Sequence, residues 1–228
     1  MSWLQKMILF VLTTGTLATP LSANLVLDKV IIDFRPGDTT RGDIELLNDG
    51  GERLYVAIEP FEILNSGTDR EERVALDLSE DADLFVSPRR LILEPGERRQ
   101  LRIALLGQRP AVERVFRVRV RPVVGQVTSE EDGLKLLVGY DTLVLVRPER
   151  TLGSVEIVKD ENSITLVNQS NSSFEYFKGR ACQINTENCD DLPPNRLHPG
   201  ERWTINNVYG KTIEYTRSAN GRLETLTF

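Results

Sequence analysis

Apolar and polar positions alternate along most of this chain at a period of two, the pattern of strands with one buried face. The alternation is strongest near the middle. Leu134, Leu136, Val138 and Tyr140 form an apolar row, and the run continues through Leu143, Val144, Leu145 and Val146 to Arg147 and Pro148. Large apolar residues occupy both faces near the end of this strand, and its start carries a single uncovered row. A long hydrophobic strand is a template for pairing with another chain, so natural sheets normally blunt such edges. One left unblunted suits lending to a partner by β-augmentation. The ordinary alternative is a central strand buried on both sides, and periodicity alone does not separate the two.

Further strands are expected along the chain, with turn punctuation at intervals of about ten residues. Leu25–Phe34 stops at Arg35-Pro-Gly-Asp38, and Asp43–Leu47 stops at Asn48-Asp-Gly-Gly51. Leu54–Ile63 carries Pro60, which marks a bulge or an edge. Thr68–Glu80 reads as a polar, loosely paired connection. Leu84–Ser87 and Arg90–Leu93 flank Pro88, and Arg99–Leu106, Val115–Val120 and Leu134–Val146 complete the set. Seven or so short strands in about 125 residues predict an immunoglobulin-like sandwich. After Pro148, six more candidates (Ser154–Lys159, Ser163–Asn168, Phe174–Lys178, Trp203–Asn206, Lys211–Thr216 and Leu223–Phe228) predict a smaller sandwich. No stretch holds a 3.6-residue helical period beyond about a turn or two. The fold class is therefore all-β, two immunoglobulin-like sandwiches in tandem, divided as 24–148 and 149–228 with a short elbow between them.

Residues 1–23 read as a secretory signal. Lys6 supplies the positive charge, Met7-Ile-Leu-Phe-Val-Leu12 opens the apolar stretch, and Ala23 sits at the cleavage site, leaving Asn24 as the mature N-terminus. No later segment reaches the roughly 18 apolar residues that a bilayer crossing needs. The net charge of −6 argues against a nucleic-acid partner. Cys182 and Cys189 are the only cysteines, and in an oxidising compartment so close a pair is a local disulfide. Closing that loop contributes about 2.5 kcal/mol on a chain-entropy basis. The only histidine, His198, lies in a Leu-His-Pro-Gly-Glu turn, so no metal site and no cofactor are expected.

Ordered motifs then point to a family. Phe85-Val-Ser-Pro88, Leu91, Leu93-Glu-Pro-Gly96 and Leu101-Arg-Ile103 resemble the central signature of the PapD-like periplasmic pilus chaperones. The strand ending Val144-Leu-Val-Arg-Pro148 is similar to the last strand of that family's first domain. Within the family the chain resembles the alternate, colonisation-factor-type branch. Val115-Phe-Arg-Val118 matches that branch's Tyr/Phe-Arg-Val strand, and Cys182 and Cys189 fall where it carries a cysteine pair. Each motif is weak singly, but together they span essentially the whole mature chain in the right order.

The resemblance implies a periplasmic chaperone that binds pilins, the subunits of pili or fimbriae, and delivers them to an outer-membrane usher. It implies donor-strand complementation, in which Leu134, Leu136, Val138 and Tyr140 fill the slot of a subunit missing a strand. It also brings a departure. The family anchors the subunit's terminal carboxylate with an Arg in the first strand and a Lys in the last, and the matching positions here are Ile31 and Leu143. Neither binds a carboxylate. Arg117, Arg119 and Arg121 alternate with Phe116, Val118 and Val120, so the arginines share the face opposite the apolar set. Arg117 is the favoured anchor and Arg119 the second, because a guanidinium clamps a carboxylate through two hydrogen bonds.

An enzyme is not expected. The chain shows no Gly-rich phosphate loop, no paired metal-ligand motif and no nucleophile elbow, and one histidine in a turn does not make a catalytic triad. No small-molecule substrate is implied. The remaining alternative is a structural pilin or adhesin subunit with an immunoglobulin-like fold. Such a subunit is expected to lack a strand, whereas this chain begins with one in place.

Overall fold

The computed structural model describes residues 25–76, 83–123, 137–184 and 188–228. Ten strands lie in its first half: β1 (Leu25–Leu27), β2 (Ile31–Phe34), β3 (Arg41–Asn48), β4 (Leu54–Leu64), β5 (Glu72–Ala75), β6 (Leu84–Ser87), β7 (Arg90–Leu93), β8 (Arg98–Leu105), β9 (Arg114–Val123) and β10 (Tyr140–Val146). Eight follow: β11 (Val155–Lys159), β12 (Ser163–Asn168), β13 (Phe174–Gln183), β14 (Cys189–Leu192), β15 (Asn195–Leu197), β16 (Arg202–Asn206), β17 (Lys211–Ala219) and β18 (Arg222–Thr227). The fold is all-β, as the alternation predicted.

The first sandwich packs the sheet β1-β3-β8-β6 against the sheet β2-β10-β9-β4-β5, with β7 joined to β4. Its core is made by every second residue of the facing strands, including Phe34, Leu46, Ile58, Leu101, Ile103, Phe116, Val118 and Val144. The opening strand serves both sheets: β1 runs antiparallel to β3, and β2 runs parallel to β10. Between them Asp28 turns toward β3, where its amide donates to the Glu45 carbonyl at 3.1 Å.

Two details differ from the expectation. The stretch read as a loose connection contains β5, which pairs with β4 from Phe61↔Ala75 to Leu64↔Glu72. Pro60 is inside β4, where β7 covers residues 54–57 and β5 covers 61–64. It falls in the gap between those two partners, so its missing N–H breaks no ladder there. Its carbonyl still accepts from the Leu76 amide at 3.0 Å.

The second sandwich places β11-β12-β16 against β14-β13-β17-β18, with β15 on β13. Tyr176, Trp203 and Tyr215 meet at ring centroid distances of 5.2 to 6.2 Å in tilted and edge-on contacts. Cys182 and Cys189 stand opposite each other in the β13–β14 ladder and are disulfide-bonded.

One buried guanidinium ties the two sandwiches together. Arg147, directly after β10, is 4% exposed. Its Nε donates to Asp33 Oδ1 at 2.8 Å, and its Nη1 faces Glu113 Oε2 at 2.6 Å and the Ser173 carbonyl at 2.8 Å. Glu113 also accepts from the Ser173 amide at 2.9 Å and the Ser173 hydroxyl at 3.0 Å. His198 Nδ1 stands 3.4 Å from the other Glu113 oxygen. Asp33 and Glu113 come from the first sandwich, and Ser173 and His198 from the second. Burial alone pushes the Glu113 carboxyl up. The His198 imidazole, the Arg147 guanidinium and the Ser173 hydrogen bonds outweigh it and hold the group at about 2, against an ordinary 4.5.

This junction makes stability depend on pH in a definite direction. Folding lowers the Glu113 pKa, so its contribution is complete above the unfolded value of 4.5 and disappears as pH falls toward about 2. The contribution is on the order of 3 kcal/mol. Urea unfolding followed against pH should show the midpoint dropping through this window. Glu113→Gln should lower the unfolding free energy at neutral pH by about 3 kcal/mol, the cost of breaking a buried pair, and should flatten the acid limb. An equally steep limb in the variant would assign the effect to other carboxylates.

Candidate functional site

The outer face of the second sheet in the first sandwich is built by the alternation of β9. Phe116, Val118 and Val120 are buried in the core, which turns Arg117, Arg119 and Arg121 onto the opposite face. Register sets their neighbours. Arg117 lies between Phe61 of β4 and Leu143 of β10, and Arg119 lies between Glu59 and Asp141.

The three arginines are not equivalent. Arg121 grips Glu59 with two hydrogen bonds of 3.1 and 3.2 Å, and this contact, with the charge of Arg119, holds the Glu59 carboxyl below its usual range. Arg119 stands 3.8 Å from the same carboxylate and 5.0 Å from the Phe61 ring centroid. Arg117 donates from Nη1 to the Asp141 backbone carbonyl at 3.2 Å. Among the described residues it has no carboxylate partner. Beside it Arg73 of β5 reaches across the sheet. Its guanidinium passes 4.2 Å from the Phe61 centroid and binds both Asp141 oxygens, at 2.5 and 3.1 Å.

Of these groups, Arg73, Arg117 and Asp141 open onto a cleft of about 260 Å³ whose walls also include Ile63, Val115 and His198. His198 comes from the second sandwich, so the cleft lies where the two sandwiches meet. Ile31 and Leu143 are direct partners in the parallel β2–β10 ladder. Leu143 is 7% exposed, packed with Val115, Leu145 and Ile63, while Ile31 is 47% exposed. Leu143 also stands opposite Arg117. The cation is therefore one strand, about 4.8 Å, away from the position left apolar.

The second feature of the site is the edge of β10. β10 pairs with β9 over its whole length, from Tyr140↔Val120 to Val146↔Arg114. β2 covers only Leu143–Val146 on the other side, with one further bond from the Leu143 amide to the Val30 carbonyl at 2.9 Å. Among the described residues, Tyr140, Asp141 and Thr142 thus have a strand on one side only. Of the apolar row, Leu134 and Leu136 lie outside the described residues. Val138 is 48% exposed. Tyr140 packs against the first core and donates its hydroxyl to the Leu25 carbonyl at 2.9 Å. The row passes from the outside to the domain's own interior between these two residues.

Several groups escaped the sequence reading. Arg73 sits in the stretch taken for a polar connection, and Asp141 stands between two apolar segments of one strand. His198 was read as a turn residue. Arg147 did carry a signal, because it is a charge placed directly after Leu143-Val-Leu-Val146 and before a proline.

No protein-family model matches the sequence, and no curated protein matches it. Solved structures do match in fold. The class 5 fimbrial chaperone CfaA is 19% identical, with 90% of this chain and 98% of that one covered and a TM-score of 0.65. A chain of the CsuC–CsuE chaperone–tip adhesion subunit complex from Acinetobacter baumannii is 13% identical over 90% of this chain and 98% of its own, with a TM-score of 0.58. A chain of the Salmonella enterica SafA pilin–SafB chaperone complex is 16% identical over 90% and 95%, with a TM-score of 0.59. This chain has the fold of those proteins, two immunoglobulin-like sandwiches.

Proposed function

We propose that this chain is a periplasmic chaperone of pilus subunits, which holds an incomplete subunit by lending it a strand and passes it to an outer-membrane usher. The observation that carries this reading is the one-sided ladder of Tyr140–Thr142 at the root of an apolar row. An unpaired strand edge supplies backbone donors and acceptors to any extended partner. Leu134, Leu136 and Val138 then fill a partner's slot at the two-residue spacing of a strand, while Tyr140 fastens the root to the chaperone. Burying three such side chains contributes on the order of 5–10 kcal/mol before ordering costs. The likeness to chaperones solved with a tip adhesion subunit and with a pilin supports the same reading.

In this reading the cleft receives the subunit's terminal carboxylate, with Arg117 as the anchor and Arg119 next along the strand. The signal in residues 1–23 directs export, and the divided chain, 24–148 and 149–228, brings the two walls of the cleft together. The work is binding rather than catalysis.

Two experiments test it. Leu136→Asp with Val138→Asp should abolish co-purification of a pilus subunit co-expressed in the periplasm, because a buried unpaired charge costs several kcal/mol. Circular dichroism should show the variant folded. Subunit recovered at wild-type yield would remove this strand as the donor, and an unfolded variant would make it a core strand. Arg117→Ala should weaken capture by about 2–5 kcal/mol, the cost of leaving a desolvated charge unpaired, while Arg121→Ala, already neutralised by Glu59, should cost little. Equal, mild losses would place the anchor elsewhere.

A further inference from the structure

The Asp141 carboxylate is held in the way a ligand is held. It lies on the wall of the cleft, bound through both oxygens by Arg73, while Arg117 bonds the carbonyl of the same residue. Two guanidiniums thus converge on one aspartate, and only one of them has a carboxylate. Register does not require this contact. Arg73 is placed opposite Ile63 in the β4–β5 ladder, whereas Asp141 stands two strands beyond β4, opposite Arg119. The Arg73 side chain must cross β4 and β9, over the Phe61 ring, to reach it. A two-point grip by arginine is the geometry that also recognises a free chain terminus.

Resting on the proposed function, we infer that Asp141 is an internal stand-in for the ligand carboxylate: it occupies Arg73 in the free protein and gives way when a chain terminus enters between Arg73 and Arg117. Exchange conserves the ion pair on Arg73, so little is lost there. Arg117 gains the carboxylate that it lacks. The pair is about one-third exposed, with side-chain exposures of 32% for Arg73 and 42% for Asp141. Ion pairs of that exposure are weak, changing an equilibrium by roughly 1.4- to fivefold. Asp141 therefore masks the site without sealing it, and it discriminates against ligands that cannot replace its charge. Its position matters too. Asp141 follows Tyr140 on the strand whose edge is open, so the masking carboxylate and the strand-pairing edge belong to the same three residues.

The test uses the full mature chain and two probes, N-acetyl-Leu-Tyr with a free carboxylate and the same dipeptide as its C-terminal amide. Binding is read from the arginine Nε–H signals in NMR titrations. Asp141→Asn should tighten the free carboxylate by about two- to fivefold and leave the amide unchanged. Arg73→Gln should weaken the carboxylate and should erase the gain when combined with Asp141→Asn. An Asp141→Asn variant that binds the carboxylate no better than wild type, or that shifts both probes alike, overturns the inference. That outcome is separable from failure of the chaperone reading, because subunit capture by the wild-type protein and its loss in Arg117→Ala are measured without reference to Asp141.

Discussion

The buried Arg147 guanidinium is the contact on which the rest of this structure depends. Removing charges from water costs several kcal/mol for each ion, so such a group survives only where its donors are matched. Here Asp33, Glu113, Ser172 and Ser173 supply that match. Arg147 directly follows β10, and Asp33 lies in β2. One guanidinium therefore fixes the end of β10, its pairing with β2 and the seat of the second sandwich. A slip of one residue would turn every side chain to the other face, so the buried face of β9 already fixes register, and Arg147 pins the end of β10 in addition. With the end of β10 pinned, Arg117 must meet Leu143 and Arg119 must meet Asp141.

The open edge follows from the same constraint. β2 is parallel to β10, so its first residue defines where cover begins. Upstream of Ile31 the chain turns at Asp28 to join β3 in the opposite sheet. A strand shared between two sheets cannot cover the full length of either partner, and Tyr140–Thr142 are what it leaves without a strand on that side, although Thr142 itself is buried. The acceptor edge is thus a property of the backbone path, while the apolar row beyond it is a property of side chains.

Alternation and turn residues made the two sandwiches legible before any coordinates, because period two with regular Gly and Pro punctuation admits few other folds. The disulfide was legible from spacing, and the outward arginines of β9 from their interleaving with Phe116, Val118 and Val120. What stayed hidden were contacts between residues far apart in sequence. Arg73 and Asp141 are separated by 68 positions, and each alone looks like an ordinary surface charge. β5 was missed because its four residues are all exposed and its pattern is polar. It is a strand through pairing with β4, a tertiary effect that overrides local preference. His198 does sit in the expected turn, whose Glu201 amide donates to its carbonyl, but its neighbour Glu113 belongs to the other sandwich and left no local signal.

Under the proposed function, the cleft would keep its geometry while exchanging the residues that supply its charge. Pairing along an edge uses amides and carbonyls that every residue carries, so it tolerates almost any sequence compatible with the strand. A charged anchor is bound less tightly to one position. Ile31 and Leu143 are apolar here, yet the neighbouring strand presents Arg117 directly opposite Leu143. Adjacent strands lie only about 4.8 Å apart, and arginine is long enough to serve the same point from either of them. Leu143 packs with Val115, Leu145 and Ile63, and of these Ile63 and Val115 reach the cleft wall beside Arg73, Arg117 and Asp141. On the proposed function, the cation has moved one strand over while the cleft keeps its place between the two sandwiches.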